Sequence, residues 1–401
     1  MRVLIADKLP ATGVAAIAAL GVTVDARPEL GADDLPGVLR ETGAEVLVVR
    51  STKVTADAFA TAPRLGLVVR AGAGVNTIDV AAANRHAVFV ANCPGKNAIA
   101  VAELTMGLVL ALDRRLPEAV GDMQRGLWNK KRYGQARGLH GRRMGLVGFG
   151  HIGREVSQRA LAFGLIVEAY DPNLTADRAD ELGVEVAPDL DTMLRRSDIV
   201  SVHVPYSKGT HHLIGGRELA LLKDGAVIVH TARGGVVDDL ALTEAVRSGR
   251  VRAALDVFED EPAGGEAQFL SQIRELPAIY ATPHIGASTE QAESATADET
   301  VRLIEEYMRT GHVGAAVNLD RHRVSNFTVV VRHRDRVGVL ASVLGALREE
   351  QLNVQQMQNV VFDGHETACA TISLERRPSP ELLERLRNQP EIIAVDLRAV
   401  L

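Results

Sequence analysis

The chain has 401 residues, few of them aromatic (3%), and a formal net charge of −6. That length predicts two or three domains, and that charge gives no electrostatic case for nucleic acid or an anionic membrane as a partner. Two cysteines, Cys93 and Cys369, form neither a metal-ligand spacing nor a disulfide framework, which fits a reducing compartment.

The chain opens on the strand-like run Val3–Ala6 with no charged leader ahead of it, so no signal peptide is expected and cytoplasm is the expected compartment. Residues 1 to 97 alternate strands and helices. Val3–Ala6, Val46–Val49, Leu67–Val69 and Val88–Val90 are continuous apolar runs, the pattern of strands buried on both faces of a mostly parallel sheet. Ala11–Leu20, Asp33–Arg40 and Asp79–Asn84 read as helices. Strand ends meet turn signals at Arg50-Ser51-Thr52 and Ala71-Gly72-Ala73-Gly74, and such loops are where open α/β sheets bind ligands. Ala71–Gly74 is open to two readings, a plain tight turn or backbone N–H groups offered to an anion.

Ala98–Arg114 is a long helical pattern that contains Glu103 and is too short in its apolar part for a membrane span. Pro117–Trp128 reads as another helix. A basic cluster follows, Lys130, Lys131, Arg132, Arg137, Arg142 and Arg143. Most such runs are solvated faces, but a subset can reach an anionic ligand or a neighbouring subunit.

From Met144 the alternation resumes with a strand, Gly148-Phe-Gly150-His151-Ile152-Gly153, a helix over Arg154–Phe163, and a second strand, Leu165–Tyr170, that ends in Asp171. This is a βαβ unit with G-x-G-x-x-G at its first turn, the arrangement that lets backbone approach a pyrophosphate at a helix N-terminus. Asp171 stands where a carboxylate would accept the ribose hydroxyls, so NAD is expected in preference to NADP. Ile199–Val202, Ala226–Val229, Ala253–Asp256 and Ile279–Ala281 continue the sheet. A helical pattern over Ser288–Arg309 then returns to the first domain, which predicts a doubly wound domain inserted into another, with a cleft between them. Gly314–Arg323 reads as a linker. Beyond it, Phe327–Val331, Gly338–Glu350, Val354–Phe362, Thr367–Leu374, Pro380–Arg387 and Ile392–Leu397 give βαββαβ, the ferredoxin-like order.

Three segments follow strands of the second sheet: Thr231-Ala232-Arg233-Gly-Gly235, Leu255–Pro262, and Thr282-Pro283-His284-Ile-Gly286. Each alone is ordinary. Together with a dinucleotide site they supply what hydride transfer at a hydroxy-acid carbon needs: a guanidinium for the substrate carboxylate, an imidazole to exchange the hydroxyl proton, and a carboxylate to orient that imidazole.

On these motifs, with Arg70-Ala-Gly-Ala-Gly74 and Pro283-His284-Ile-Gly-Ala-Ser288, the chain resembles the D-isomer-specific 2-hydroxyacid dehydrogenase family, on its phosphoglycerate dehydrogenase branch. The resemblance implies two doubly wound (Rossmann-like and flavodoxin-like) α/β domains with a cleft. Residues 1–97 and 286–322 would form the substrate domain and 98–285 the NAD domain. It implies His284 as acid/base, Glu261 as its partner and Arg233 as substrate anchor. It assigns NAD contacts to Gly148, Gly150, His151, Ile152, Gly153, Asp171, Val204, Pro205, Thr231, Ala232, Asp256 and His284, with Asp256 holding the carboxamide. Substrate contacts fall on Arg50, Ser51, Ala73, Gly74, Asn97, Lys130, Arg233 and His284. No metal is implied.

The tail, residues 325–401, resembles an ACT domain, with His333, Asp335 and Asn353 on its effector-binding loop and strand. The resemblance implies serine as a possible effector and a homo-oligomer, dimer or tetramer. The expected reaction is 3-phosphoglycerate to 3-phosphohydroxypyruvate, the entry to serine synthesis. Lys96 beside the cleft fits a phosphate but equally a phosphonate or dicarboxylate, so phosphonopyruvate and 2-oxoglutarate stay open as substrates. A third reading, an NAD-sensing binding protein without turnover, is disfavoured by the intact Arg233, Glu261 and His284.

Overall fold

The computed structural model describes residues 1–262, 266–269, 271–320 and 326–399. The chain divides into two compact units, Met1–Asn318 and Leu319–Leu401. The expected boundary between residues 322 and 325 lies outside the described residues.

The first unit holds two parallel sheets. Strands β1 (Arg2–Ile5), β2 (Thr23–Ala26), β3 (Val46–Val49), β4 (Leu67–Arg70) and β5 (Phe89–Asn92) form a sheet in the order β2-β1-β3-β4-β5, the flavodoxin-like order. The second sheet contains β6 (Arg143–Val147), β7 (Ile166–Tyr170), β8 (Glu185–Val186), β9 (Ile199–Val202), β10 (Ala226–His230), β11 (Val251–Leu255) and β12 (Ile279–Ala281). Its order, β12-β11-β10-β9-β6-β7-β8, reverses between β6 and β9, the switch point at which doubly wound sheets open a crevice.

The continuous apolar runs are buried on both faces as expected. All four residues of β3 and all four of β9 are buried. The helix Ala98–Arg114 keeps its expected bounds. Its Ala102, Met106, Val109 and Leu112 pack with Met144, Leu146, Val229 and Ala254 of the second sheet. The helix Glu290–Thr310 packs against the helix Ala11–Ala19, close enough that a Cβ at Gly13 would lie 2.8 Å from the Ala297 Cβ. The segment after it returns to β5, where Val317 N donates to Val90 O at 2.7 Å.

Some expectations needed correction. β2 and β8 were not anticipated, because both are short, partly exposed edges without an apolar run. The helix expected over Pro117–Trp128 covers Leu116–Gln124, since Gly126 at φ +77° breaks it. The fingerprint helix begins at His151 rather than Arg154.

The second unit has β13 (Phe327–Arg334), β14 (Val354–Val361), β15 (Thr367–Leu374) and β16 (Ile392–Ala399), antiparallel in the order β14-β15-β13-β16. The helices Val339–Glu349 and Pro380–Arg387 bury Val343, Leu347, Leu382 and Leu386 against Val329, Val331, Ala370 and Ile372. This is the expected βαββαβ unit with a core of its own.

Candidate active site

At the end of β6 the chain turns at Gly148, which adopts φ +97°. A Cβ there would sit 2.9 Å from the backbone of His203 and Val204, so only glycine lets this turn nest against the end of β9. Asp171, at the end of β7, accepts the Phe149 amide on Oδ2 and the Asn173 amide on Oδ1, both at 2.8 Å. No side chain caps the helix that starts at His151, and a Cβ at Gly150 would meet nothing within 4 Å. Open first-turn amides beside open space are what a dinucleotide pyrophosphate requires. Ile152, Val204, Pro205 and Ala232 line one cavity of about 530 Å3 with Ala73 and Gly74. These residues therefore fit NAD.

A neighbouring cavity of about 130 Å3 brings together Arg50, Asn97, Thr231, Arg233, Asp256 and His284. His284 follows β12 and holds φ +51°, a left-handed conformation that few side chains tolerate. Its Nδ1–H donates to Glu261 Oε2 at 2.7 Å. Glu261 Oε1 accepts the Phe258 amide at 3.1 Å. Burial pushes the Glu261 carboxyl up, but His284, the Phe258 amide and Arg233 outweigh it and hold the group below the usual carboxylate range. Arg233 sits on the turn after β10, and burial lowers its pKa against the opposing pull of Glu261. That turn packs so closely on the β11 loop that a Cβ at Gly234 would lie 1.8 Å from Phe258 O.

Asp256 follows β11 and is 1% exposed. Its Oδ1 accepts the Thr282 hydroxyl at 2.6 Å and the Ile285 amide at 2.9 Å, and Oδ2 accepts the Gly286 amide at 2.8 Å. A carboxylate has about four acceptor positions, so roughly one stays free for the expected carboxamide; the other three pin the loop of His284. Thr105 spends its hydroxyl proton on Val101 O at 2.8 Å, so the 3.0 Å contact with Thr231 has Thr231 as donor.

On the substrate side, Arg50 Nη1 donates to Glu293 Oε1 at 2.9 Å, and Lys96 pairs with Glu299 at 3.2 Å. Two expected contacts lie outside this cavity in the single chain. Ser51 does not line the cavity, and its hydroxyl is spent on Asp7 Oδ1 at 2.8 Å. Lys130 does not line it either. It is exposed on the short helix Lys130–Tyr133, whose Arg132 lines a separate cavity.

Sequence reasoning missed the roles of five residues. Asp7 accepts the amides of Arg50, Ser51 and Thr52 at 2.7, 3.1 and 3.0 Å and so shapes the loop that presents Arg50. Arg70, Lys8 and Glu293 line the cavity beside Arg50 and Arg233. Arg70 Nε donates to Arg50 O at 3.0 Å, and burial, then the charges of Arg233 and Arg50, pull its pKa down. The signal for Asp7 and Arg70 was a charged residue closing an otherwise apolar strand. His230, fully buried, lies beneath Arg233 and donates from Nε2 to Arg233 O at 2.9 Å. Burial pushes its pKa down to about 4.

In the second unit His333 is buried, with Nδ1 on Arg334 O at 2.8 Å and Nε2 on Asn359 Oδ1 at 3.1 Å. Strand alternation turns it inward with Val329 and Val331, so it is not the open effector contact expected of it. Asp335 and Asn353 are exposed.

A profile of the D-isomer specific 2-hydroxyacid dehydrogenase NAD binding domain matches residues 106–286. The chain is 39% identical over 321 residues to D-3-phosphoglycerate dehydrogenase of Methanocaldococcus jannaschii, covering 80% of this chain and 60% of that protein. It thus spans less than two thirds of that relative's length. It is 46% identical over 274 residues to hydroxypyruvate reductase of Thermotoga maritima, covering 68% of this chain and 87% of that one. The structure of D-lactate dehydrogenase from Aquifex aeolicus with NAD and lactic acid aligns with a TM-score of 0.67 at 28% identity, over 79% of this chain and 99% of that one.

Proposed function

The chain belongs to the D-isomer specific 2-hydroxyacid dehydrogenase family, and from that membership we propose that it interconverts a D-2-hydroxy acid and its 2-oxo acid with NAD. The carrying observation is the 2.7 Å contact of Glu261 with His284, which itself lines the cavity with Arg233 and Asp256. In oxidation His284 takes the hydroxyl proton on Nε2, and the Glu261 carboxylate stabilises the resulting imidazolium. Arg233 holds the substrate carboxylate and polarises the oxygen at C2. Asp256 keeps the His284 loop in register. Bound NAD supplies the hydride acceptor, held by Gly148 to Gly153, Asp171, Val204, Pro205 and Thr231. In this reading residues 1–97 with 286–322 serve the substrate and residues 98–285 the cofactor.

The substrate we favour is 3-phosphoglycerate and its oxidised partner. Arg50, Arg70 and Lys8 add positive charge to the cavity beyond that of Arg233, and the Methanocaldococcus relative bears that name. A second reading, hydroxypyruvate, draws on the Thermotoga relative and on Glu293, which already occupies Arg50. Serine at the second unit, through Asp335 and Asn353, a homo-oligomer and a cytoplasmic setting complete the proposal. Among the described residues no helix is long and apolar enough to cross a membrane.

The test is NADH oxidation with phosphohydroxypyruvate, hydroxypyruvate, phosphonopyruvate and 2-oxoglutarate, each with and without serine. Phosphohydroxypyruvate should lead in kcat/KM, and His284→Asn should lower kcat by ~10²-fold or more with NADH still bound. NADH binding without turnover of any 2-oxo acid would favour a sensor.

A further inference from the structure

A third cavity, of about 180 Å3, lies at the opposite ends of the strands that deliver Arg233 and Asp256. Arg142 precedes β6, Gly225 precedes β10, and Arg252 is the second residue of β11. The helix Ala98–Arg114 brings Arg114 and Arg115 to it from its C-terminal end. Six arginines line this cavity, Arg114, Arg115, Arg132, Arg137, Arg142 and Arg252, and Asp113 is the one carboxylate among the lining residues.

The available anions are already committed. Asp113 pairs with Arg142 at 2.9 Å. Asp198 pairs with Arg137 at 3.4 Å and with Lys223 at 3.3 Å. Arg132 reaches Asp122 at 3.5 Å, an acid it shares with Arg125 at 2.6 Å. Arg252 donates to the carbonyl of Leu112 at 2.5 Å. The guanidinium groups of Arg114 and Arg115 have no partner among the described residues. Arg142 is 9% exposed, and its buried Nε also lacks one. Burial first, then the neighbouring Arg137, pull the Arg142 pKa down against the opposing pull of Asp113 and Asp198.

Mutual repulsion of this kind is unfavourable for the empty fold and is relieved when an anion enters. A single carboxylate would leave most of the excess standing. Planar guanidinium forks match the oxygens of a phosphate in several directions at once. We propose that this cavity binds a compact polyanion, a phosphate ester or pyrophosphate-bearing metabolite, at a site distinct from the catalytic cleft. Strands of five residues separate the two sites by roughly 15 Å, so the ligand does not touch substrate. The inference does not rest on the proposed redox chemistry.

The test is calorimetric titration of the full chain, saturated with NADH so that the amides at Gly148 to Gly153 are occupied, with inorganic pyrophosphate at low ionic strength. Arg50→Ala serves as a control, because the cleft also carries arginines. The distal variant is Arg114→Gln with Arg115→Asn, asparagine being chosen because position 115 holds φ +50°. Wild type and Arg50→Ala should bind one pyrophosphate per chain with the same Kd. The distal variant should bind about tenfold more weakly or worse, with turnover in the absence of pyrophosphate unchanged. Arg132→Gln, on a separate helix, should weaken binding as well. Unchanged affinity in the distal variants, or loss of binding in Arg50→Ala instead, overturns the proposal. So does a shift in sedimentation of the distal variant with no pyrophosphate binding by wild type, which would assign the cavity to a second copy of the chain.

Discussion

Arg50 and Glu293 meet at 2.9 Å within the cavity that also holds Arg233 and His284, so one of the cations open to an anionic substrate is already paired. A substrate phosphate must displace that carboxylate or share the guanidinium with it.

Glu293→Gln should therefore lower KM for phosphohydroxypyruvate by about three- to tenfold, with kcat nearly unchanged. An exposed pair of this kind is worth roughly 0.2–1 kcal/mol, and removing an anion beside a dianion adds to that. Hydroxypyruvate should respond less. Equal changes for both substrates would place the second charge elsewhere.

Glu261→Gln should lower kcat by ~10- to 10³-fold, because the imidazolium of His284 loses its counter-charge. The folded Glu261 carboxyl titrates below its ordinary 4.5. Its contribution to the pair is thus present above that value and lost as pH falls through the lower folded value. In the variant that dependence on the Glu261 carboxyl should disappear from the acid side of the pH–rate profile. A profile unchanged in position would remove Glu261 from the pair.

Asp256→Asn should destabilise the protein by ~2–4 kcal/mol and lower kcat as well. The side chain is buried and accepts three hydrogen bonds, and an amide nitrogen in place of one oxygen would face a backbone N–H donor to donor. Thermal melting reads the first effect. An unchanged Tm would mean that the loop of His284 is held by other contacts.

His230 is neutral in the fold, with its pKa pushed by burial from 6.5 down to about 4. The unfolded chain binds the proton first as pH falls. The stability this group contributes is complete above 6.5 and is lost as pH drops through about 4, on the order of 3 kcal/mol. Denaturant titrations across that window should show the slope, and His230→Gln should flatten it while keeping a donor for Arg233 O.

The parallel strands were legible because burial on both faces writes them as unbroken apolar runs, and the fingerprint was legible because its glycines answer to backbone geometry. The loops of Arg233, Glu261 and His284 could be placed at one sheet edge for the same reason. The meeting of His284 and Glu261 at 2.7 Å beside Arg233 depends on Gly234 and Asp256, whose work lies in close approach and hydrogen bonding rather than in any local pattern. β2 was invisible because an exposed edge needs no apolar run. Arg70 was in view as part of a motif, but nothing local said that its side chain turns toward Arg233. Lys130 lies outside the cavity of its own chain, and a run of charge does not report on which side of a sheet a short helix sits.

The left-handed backbone at His284 narrows what drift can do to this position. A β-branched residue arriving there would strain the turn as well as remove the imidazole, whereas asparagine, aspartate or glycine would fit the backbone and forfeit only the base. A lineage that abandoned turnover but kept the folded cleft would thus be expected to carry one of those three, and their presence at this position in a descendant would mark a dehydrogenase retired to binding.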